Sequence, residues 1–519
     1  MMEVSSQLPL AICVVPAALA VLAYPLGRAA RPIGPTLNLL GAAAVTALAV
    51  PMALGAMRGD VYVSLGRELR VDSLSALLVL VIGGVSLAAA IYAFPYMRLQ
   101  QLVERVRGKA GEEVIDRRLA AFYALSLAFL ATMLWACTTN NIIMLYLSVE
   151  ASTLASGLLV AFYWDRRSLE ASYKYLMLLT VGIAFALFGC VLLYASAVQH
   201  IPGQAGLRAM LISDLNEVGG EIPRAMALMV MAFFIVGFGT KAGLAPFHPW
   251  LPDAHAEAPS PVSALLSGVM IKMAIYALAR TLGIFFPLAQ YHPVAMFVIV
   301  LGAFTMLLGG VMCLAQDDLK RLLAYSSVGQ MGYIAMGLGL VGIGYGQAAG
   351  YLGGYGSLFH LVNHALSKSL LFLAVGAVIY ATGGRRRTTE LSGLARRMPA
   401  TAVCFFVGAF AISGMPPFNG FWSKLTLYFA AADAELWWAF GIAIAASLLT
   451  LVAFIRVGYQ VFWSEGDEPM DDPGERREAP AAMMLSMGAL AVCCVILGLF
   501  PSLVYPLLDP AARVLASFF

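Results

Sequence analysis

Lysine is scarce in this chain of 519 residues: only seven of its 32 basic side chains are lysines, and the other 25 are arginines. Charged residues together make up only 12% of the sequence, whereas soluble domains carry about 25%. Hydrophobic residues reach 61%, with a mean hydropathy of +0.84. A soluble fold of this composition would have no polar surface to present to water. The composition therefore excludes a soluble protein and predicts an all-α polytopic membrane protein.

The few lysines are concentrated where a charge is most costly. Four of them lie in segments apolar enough to span a bilayer: Lys241, Lys272, Lys368 and Lys424. Two more, Lys174 and Lys320, lie near the ends of such segments, and only Lys109 is in a polar stretch. Arginine stays charged in proteins, whereas a buried lysine can release its proton. This distribution therefore indicates a membrane protein that handles protons.

The apolar segments account for almost the whole chain. A spanning helix needs roughly 20 apolar residues. About fourteen segments meet that requirement, centred near residues 17, 46, 85, 129, 152, 184, 234, 272, 303, 331, 365, 412, 448 and 493. No polar stretch between them is long enough for a soluble domain, so we expect residues 1–519 to form a single transmembrane domain.

The basic residues of the loops predict the orientation in the membrane. About 19 Lys and Arg residues follow odd-numbered helices and about 5 follow even-numbered ones, and the richer side is cytoplasmic by the positive-inside rule. Both termini are therefore expected on the non-cytoplasmic side of an inner (cytoplasmic) membrane. Three of these arginines, Arg385 to Arg387, are consecutive, and their loop either anchors the cytoplasmic side or docks a partner.

No cofactor or resident metal is expected in this chain. All seven cysteines lie in apolar segments and include no CxxC pair, whereas iron–sulfur and zinc sites need several thiolates at set spacings. Gly337, Gly339 and Gly342 match a GxGxxG pattern, but no strand precedes them, so we expect no dinucleotide site there.

One motif occurs twice, 171 positions apart: Gly243-Leu-Ala-Pro246-Phe recurs as Gly414-Met-Pro416-Pro417-Phe. Glycine tolerates unusual dihedral angles and proline removes a helix hydrogen bond. Irregular backbone at membrane depth is tolerated only where it is buried in protein or lines a wet cavity. Paired interruptions of this kind indicate the ion path of a transporter; the alternative is two ordinary proline kinks.

Glu150 is the one carboxylate that the sequence places deep in an apolar segment. It could pair with one lysine for purely structural reasons. However, one glutamate cannot neutralise four deep lysines, and each charge at the bilayer centre costs roughly 2.5–3.5 kcal/mol on insertion scales. The surplus lysines must be neutral part of the time or hydrated, and either condition suits proton transfer.

The histidines lie in two groups. His360, His364 and Lys368 are spaced i, i+4, i+8 and so share one helix face. Histidine can both donate and accept a proton near neutral pH, so this stripe predicts part of a proton path. The alternatives are a stacked structural pair and a metal site, although a metal site would lack a third ligand. His248 and His255 flank Asp253 near the first interruption, where turn structure alone could also explain them.

Four long motifs resemble the antiporter-like subunits of complex I, of group 4 membrane-bound hydrogenases and of Mrp cation/proton antiporters. They are Phe238-Gly-Thr-Lys241-Ala-Gly-Leu-Ala-Pro246-Phe-His248-Pro-Trp-Leu-Pro-Asp253-Ala-His255 with Lys272, Asp318-Leu-Lys320-Arg321-Leu-Leu-Ala-Tyr-Ser-Ser, His360-Leu-Val-Asn-His364-Ala-Leu-Ser-Lys368, and Gly414-Met-Pro-Pro-Phe-Asn-Gly-Phe-Trp-Ser-Lys424. The resemblance covers about residues 70–465. It implies fourteen helices with two inverted five-helix repeats, at about 119–283 (helices 4–8) and 290–465 (helices 9–13), in which helices 7 and 12 are broken. Three helices with a cytoplasmic loop (about 1–118) would precede the repeats and helix 14 (about 480–519) would follow them.

The resemblance also implies roles for individual residues. Glu150 matches the glutamate of helix 5 that pairs with Lys241 of helix 7, and Lys272 matches the central lysine of helix 8. The remaining proton-transfer positions are His360, His364, Lys368 and Lys424. Lys174, His248, Asp253 and His255 are expected to support them. The expected interruptions are formed by Gly243, Pro246, Gly414, Pro416 and Pro417.

These features predict a proton-translocating subunit of a redox-driven complex, without catalytic chemistry of its own. Its expected partners are other membrane subunits, including further antiporter-like subunits and a redox module. The alternatives are a subunit of an Mrp-type Na⁺/H⁺ antiporter without redox chemistry and a helper subunit for inorganic-carbon uptake. One carboxylate offers little oxygen ligation for sodium, which favours protons.

Overall fold

The computed structural model describes residues 2–106, 111–201, 210–344, 346–464 and 478–517. Lys109 lies outside the described residues, as do parts of three polar stretches. In the described part, the helices, numbered here along the chain, are α1 (Leu8–Ala29), α2 (Ile33–Ala56), α3 (Ser73–Val106), α4 (Glu112–Thr138), α5 (Ile142–Val160), α6 (Arg166–Ala197), α7 (Ile212–Val218), α8 (Arg224–Ala242), α9 (Trp250–Glu257), α10 (Ser260–Leu282), α11 (His292–Leu314), α12 (Leu319–Ile343), α13 (Ala348–Ala381), α14 (Pro399–Ser413), α15 (Asn419–Asp433), α16 (Trp437–Phe462), α17 (Ala481–Leu499) and α18 (Tyr505–Ser517). The strands are β1 (Met2–Ser5), β2 (Asp60–Ser64) and β3 (Leu69–Val71).

Thirteen helices of the described residues are long and apolar enough to cross a membrane. Helices α14 and α15, of 15 residues each, are separated by a short interruption and are not among these thirteen. The expected all-α polytopic membrane fold is therefore confirmed, with thirteen candidate spans in the described part of the chain.

The two interruptions fall where the repeated motif predicted them. The first separates α8 from α9, and the second separates α14 from α15. Each preceding helix ends on a glycine in the left-handed region, Gly243 with φ 74° and Gly414 with φ 79°, a conformation that costs glycine nothing. The peptide bonds before Pro246 and Pro417 are cis. The prediction of broken helices at these positions is confirmed.

Buried side chains satisfy the free backbone groups of the first interruption. The Trp250 indole N–H donates to the Thr240 carbonyl at 2.9 Å, and the Ala245 N–H donates to Thr305 Oγ1 at 3.1 Å. Backbone groups that leave a helix inside a membrane need such partners, because lipid supplies none. The interruption is thus fixed by neighbouring helices.

Three helices form the centre of the bundle. The most apolar stretches of α10, α12 and α13 are 100%, 94% and 89% buried, whereas that of α1 is only 22% buried. Helix α13 packs against α10, α12, α14, α15, α17 and α18. Side chains of α10, α12 and α13 are therefore separated from lipid even at mid-membrane.

A small sheet covers the end of the bundle where α1 and α3 begin and α2 ends. Strand β2 pairs with β1 in parallel and with β3 in antiparallel register, with Tyr62 opposite Val71. Leu69 of β3 also bridges to Thr139 at the end of α4. The sheet therefore ties α1 to α4 together.

Candidate functional site

Four lysines lie in the interior of the bundle with their side chains almost fully enclosed. The exposed fractions of Lys241, Lys272, Lys368 and Lys424 are 1%, 2%, 0% and 1%. Among the described residues, none of the four has a carboxylate within 4.0 Å, so they form no ion pair. Burial of an unpaired charge costs free energy. The folded structure has the excess of deep lysines over deep carboxylates that the sequence predicted.

Lys241 and Glu150 are neighbours but are not in contact. Lys241 lies in the last turn of α8, and its ammonium donates to Thr153 Oγ1 at 2.7 Å and lies 5.7 Å from the centre of the Tyr175 ring. Glu150 is half-buried, and its Oε1 accepts from the Thr180 hydroxyl at 2.9 Å. The expected direct pair is absent because Thr153, one turn beyond Glu150 on α5, takes the ammonium. The second Glu150 oxygen, Oε2, is buried without a donor among the described residues.

Lys272 lies directly after a π-helical stretch of α10, Leu266–Met270. There the Ile271 N–H donates to the Leu266 carbonyl, five residues back. In an α-helix its partner would be Ser267, four residues back. The Ser267 carbonyl is therefore available, and the ammonium of Lys272 donates to it. Such π-helical turns are frequent at functional sites.

A chain of hydroxyl and carbonyl groups connects Lys272 to Lys368. Ser267 Oγ of α10 lies 2.7 Å from Ser327 Oγ of α12, and both residues are fully buried. Ser327 donates to the Leu323 carbonyl at 2.9 Å, and the ammonium of Lys368 donates to that same carbonyl at 2.8 Å. The structure thus brings the central lysine and the lysine of the histidine stripe onto one polar seam.

The two histidines of the stripe are buried side by side on α13. The rings of His360 and His364 are 6.3 Å apart and nearly parallel, at 15°. His360 has a hydrogen-bond partner on each nitrogen, Gln330 Oε1 and Ser423 Oγ, both at 3.0 Å. Neither nitrogen of His364 has a partner among the described residues. Because buried polar atoms are nearly always paired, His364 is a candidate for proton exchange.

Lys424 lies at the far end of this group, on α15. Its ammonium donates to Ser447 Oγ at 3.0 Å and lies 4.8 Å from the centre of the Tyr333 ring. The Tyr333 ring is in turn 5.4 Å from that of His360. From Lys424 the group thus leads through these two rings to His364 on α13, the helix that also carries Lys368.

The expected supporting residues divide between two places. Asp253 and Lys174 line a charged cleft of about 890 Å³ at one end of the bundle, away from the buried lysines. There Asp253 forms ion pairs with Arg321 at 2.8 Å and with Lys174 at 3.7 Å. His255 is fully buried and stacks on Phe372, with ring centres 4.7 Å apart. His248 is half-buried, 6.3 Å from the Tyr325 ring.

The second half of the first interrupted helix, α9, ends between two cations. Arg386 donates to the Ala256 carbonyl at 2.6 Å and to the Glu257 carboxylate at 2.8 Å, and Lys320 donates to the Ala258 carbonyl. Arg386 also pairs with Asp318 at 2.8 Å. Burial opposes the charge of Arg386, but Asp318 and Glu257 raise its pKa further above the usual value. At least Arg386 of the triple-arginine loop is therefore an internal anchor.

Sequence reasoning missed several partners in this site. The hydroxyls of Thr153, Ser267 and Ser327 look like ordinary polar residues in helices, and only their proximity to lysine distinguishes them. It also missed a buried ion pair between Asp72 and Arg280, which are 208 positions apart. Burial alone would raise the pKa of Asp72, but the charges of Arg280 and Arg70 hold it well below its usual range. Glu150 is therefore not the only enclosed carboxylate.

Comparison with known proteins identifies the family. The family model described as "NADH:quinone oxidoreductase/Mrp antiporter, TM" matches residues 139–450, more than half of the chain. A second, "NADH-Ubiquinone oxidoreductase (complex I), chain 5 N-terminus", matches residues 60–105. The chain belongs to this family of antiporter-like membrane subunits, as its motifs predicted.

Individual relatives come from different complexes. NADH-quinone oxidoreductase subunit N of Desulforudis audaxviator is 35% identical, over 96% of both chains. The hydrogenase-4 component F homologue of Methylacidiphilum infernorum is 36% identical, over 67% of this chain and 70% of that protein. A chain of the Mrp complex from Dietzia superposes with a TM-score of 0.82 at 25% identity, over 98% of both chains.

Proposed function

We propose that this chain is a proton-translocating subunit of a redox-driven membrane complex of the complex I or membrane-bound hydrogenase type. One observation carries the proposal: four fully buried lysines have no ion pairs among the described residues, and three of them, Lys272, Lys368 and Lys424, lie along one group of buried hydroxyls and two histidines. A static structural role would require counter-charges for these lysines. Residues that gain and lose protons do not need permanent counter-charges.

In the proposed mechanism, Glu150 controls the affinity of Lys241 for its proton. A negative charge nearby favours the protonated lysine, and loss of that charge favours release. The proton of Lys241 then passes to Lys272, on to Lys368, His364 and His360, and finally to Lys424. Hydroxyl groups and water bridge the gaps. Glu150 is half-buried, so a neighbouring subunit can alter its charge without entering the bundle.

Redox coupling is favoured over sodium/proton exchange by two observations. The relative that matches nearly the full length of this chain at 35% identity is a subunit of an oxidoreductase. The buried group consists mainly of nitrogen bases and hydroxyls, and Glu150 is its single carboxylate. Sodium, a hard cation, would need several oxygen ligands.

We further propose that the chain lies in the inner membrane with both termini on the non-cytoplasmic side. The charged cleft then opens to the cytoplasm. Residues 119–283 and 290–465 would be the two inverted repeats, each with one interrupted helix. This arrangement agrees with the bias of basic residues toward the cleft side.

Substitution of Lys241 in the whole complex tests the proton-transfer role. Lys241→Ala removes the base and Lys241→Arg keeps a charge that cannot be released. Both should lower the rate of proton translocation by at least about tenfold, which corresponds to about 1.4 kcal/mol in the barrier. Translocation is measured in proteoliposomes beside electron transfer. Normal pumping by the Lys241→Ala complex would exclude the proposed mechanism.

Purification from native membranes in mild detergent tests the redox assignment. Mass spectrometry of co-purifying chains should find subunits that carry iron–sulfur or nickel–iron centres. If only small membrane subunits accompany the chain, it belongs to a cation/proton antiporter and the redox assignment is wrong.

A further inference from the structure

We propose that Ser267 and Ser327 form a hydroxyl relay that carries the proton between Lys272 and Lys368. This inference deepens the proposed function and rests on it. It assigns the step between the central lysine and the histidine stripe to two protein side chains on different helices, Ser267 on α10 and Ser327 on α12.

The first support is the position of the pair. The two hydroxyl oxygens are 2.7 Å apart and fully buried. On one side, the ammonium of Lys272 donates to the backbone carbonyl of Ser267, so the relay requires the ammonium to turn from that carbonyl to the hydroxyl of the same residue. On the other side, Ser327 Oγ and Lys368 Nζ share the Leu323 carbonyl, at 2.9 and 2.8 Å.

The second support is the direction of the hydrogen bonds. Ser327 uses its own hydrogen on the Leu323 carbonyl. While Ser327 donates there, Ser267 can donate to Ser327 Oγ, since either hydroxyl can be the donor of the bond between them. In that arrangement the Ser267 hydrogen points toward α12, and the Ser327 hydrogen points to the carbonyl that Lys368 also binds. Hydroxyls can donate and accept at once, and Leu323 keeps a further donor in Ser326 Oγ at 3.0 Å. The Ser327 hydroxyl can therefore turn from that carbonyl toward Lys368.

The transfer is balanced in atoms and charge. The Nζ–H bond of Lys272 breaks and a proton joins Ser267 Oγ, whose original proton passes to Ser327 Oγ. The Ser327 hydroxyl turns from the Leu323 carbonyl toward Lys368, and its original proton moves to the neutral amine of Lys368. Each hydroxyl gains and loses one proton, Lys272 becomes neutral and Lys368 becomes an ammonium. Rotation of the two hydroxyls then restores their starting direction, and no electrons are transferred.

The π-helical stretch explains why Lys272 is bound at this place. In a regular α-helix the Ser267 carbonyl would accept from the Ile271 N–H. The π-helical turn removes that bond and leaves the carbonyl for the lysine. The extra residue in the turn thereby places the ammonium at the carbonyl of Ser267, the residue that carries the first hydroxyl.

Paired substitutions of the whole complex test the relay. Valine and threonine have the same branched shape, so Ser267→Val and Ser267→Thr differ in one hydroxyl, as do Ser327→Val and Ser327→Thr. We expect the valine variants to lose about tenfold or more of protons per electron and the threonine variants to keep at least about half. Equal pumping by valine and threonine variants would overturn the relay.

Smaller substitutions cover the case in which the branched side chains prevent assembly. Ser267→Ala and Ser327→Ala should also lower protons per electron. Ser369→Ala is the matched control: its buried hydroxyl donates to the Ala264 carbonyl at 3.3 Å, between α13 and α10, and lies outside the relay. If all three alanine variants pump equally, the relay is wrong.

Lys272→Ala, measured in parallel, separates this inference from the proposed function. If Lys272→Ala stops pumping while the valine variants pump normally, only the serine relay is overturned. If Lys272→Ala pumps normally, the proposed proton path itself fails, and the relay fails with it.

Discussion

Individual buried lysines in this protein serve two different purposes. Lys320 donates to the Ala258 carbonyl at a helix end, so its amino group satisfies a buried acceptor. Lys368 donates to a carbonyl that already has a second donor, Ser327. The loss of the Lys368 ammonium therefore leaves no unsatisfied acceptor at Leu323, whereas the loss of the Lys320 ammonium leaves one at Ala258.

Methionine substitutions should separate the two purposes. Methionine is close to lysine in length but carries no charge. Lys368→Met should raise stability by about 1–3 kcal/mol, since an unpaired buried charge is removed, while proton translocation falls. Lys320→Met should lower stability by about 1–3 kcal/mol, because it leaves a buried carbonyl without a donor.

Thermal unfolding of the purified complexes gives the sign of each change. If the Lys368→Met complex unfolds at a lower temperature than the unchanged complex, the Lys368 ammonium stabilises the fold. Lys368 would then not belong to the proton path.

At the scale of elements, the short helix α9 depends on the other half of the molecule for its position. Its eight residues, Trp250–Glu257, are too few for a stable helix alone. Arg386 and Lys320 occupy its carboxyl end, where the helix dipole favours cations. Arg321 forms an ion pair with Asp253 of this helix. The segment between the first interruption and α10 thus binds three cations from residues 318–386, in addition to its packing against α6.

Removal of one cation should loosen this helix specifically. Arg386→Gln breaks the bonds to Glu257 and Asp318, and we expect faster amide hydrogen exchange in residues 250–257, by about tenfold or more. Arg387→Gln removes the same charge from the next position, which in the described part of the chain forms no hydrogen bond to α9, and should leave that exchange unchanged. Equal effects of the two variants would show that the net positive charge of the loop, and not the Arg386 contacts, stabilises α9.

At the scale of the whole molecule, polar chemistry is enclosed and the lipid-facing surface is apolar. Large exposed side chains include Val181, Phe188 and Leu448, whereas α10, α12 and α13 carry the buried polar residues. The charged cleft and the small sheet lie at opposite ends of the spans, because the cleft is formed where α10 and α12 begin and the sheet where α3 begins. The two ends should therefore face different compartments.

Cysteine labelling tests that orientation. Glu221→Cys lies between α7 and α8, and Glu390→Cys lines the cleft. In intact cells, a membrane-impermeant maleimide should label position 221 and not position 390, and inverted vesicles should give the reverse. Labelling of position 390 from outside would reverse the proposed topology.

Much of this architecture could be predicted from local sequence patterns. The number of spans follows from apolar length, and the interruptions follow from glycine and proline beside lysine. The contacts could not be predicted in the same way. Lys241 binds Thr153 instead of Glu150 because two helices set the distance, and the Ser267 carbonyl is available only because of a π-helical turn that no residue type marks. Asp72 and Arg280 meet across 208 positions, which no local pattern connects.

The positions of the lysines have a consequence for the response to voltage. Lys272 and Lys368 lie near the middles of α10 and α13, and Lys241 and Lys424 flank the two interruptions. A proton that moves among them travels mainly sideways, so the membrane potential does little work on it. A full crossing involves about 2.3 kcal/mol per 100 mV for one charge. Nearly all of that work must fall on the steps that bring the proton to this depth and release it, and the rate of the relay between Lys272 and Lys368 should hardly change with voltage.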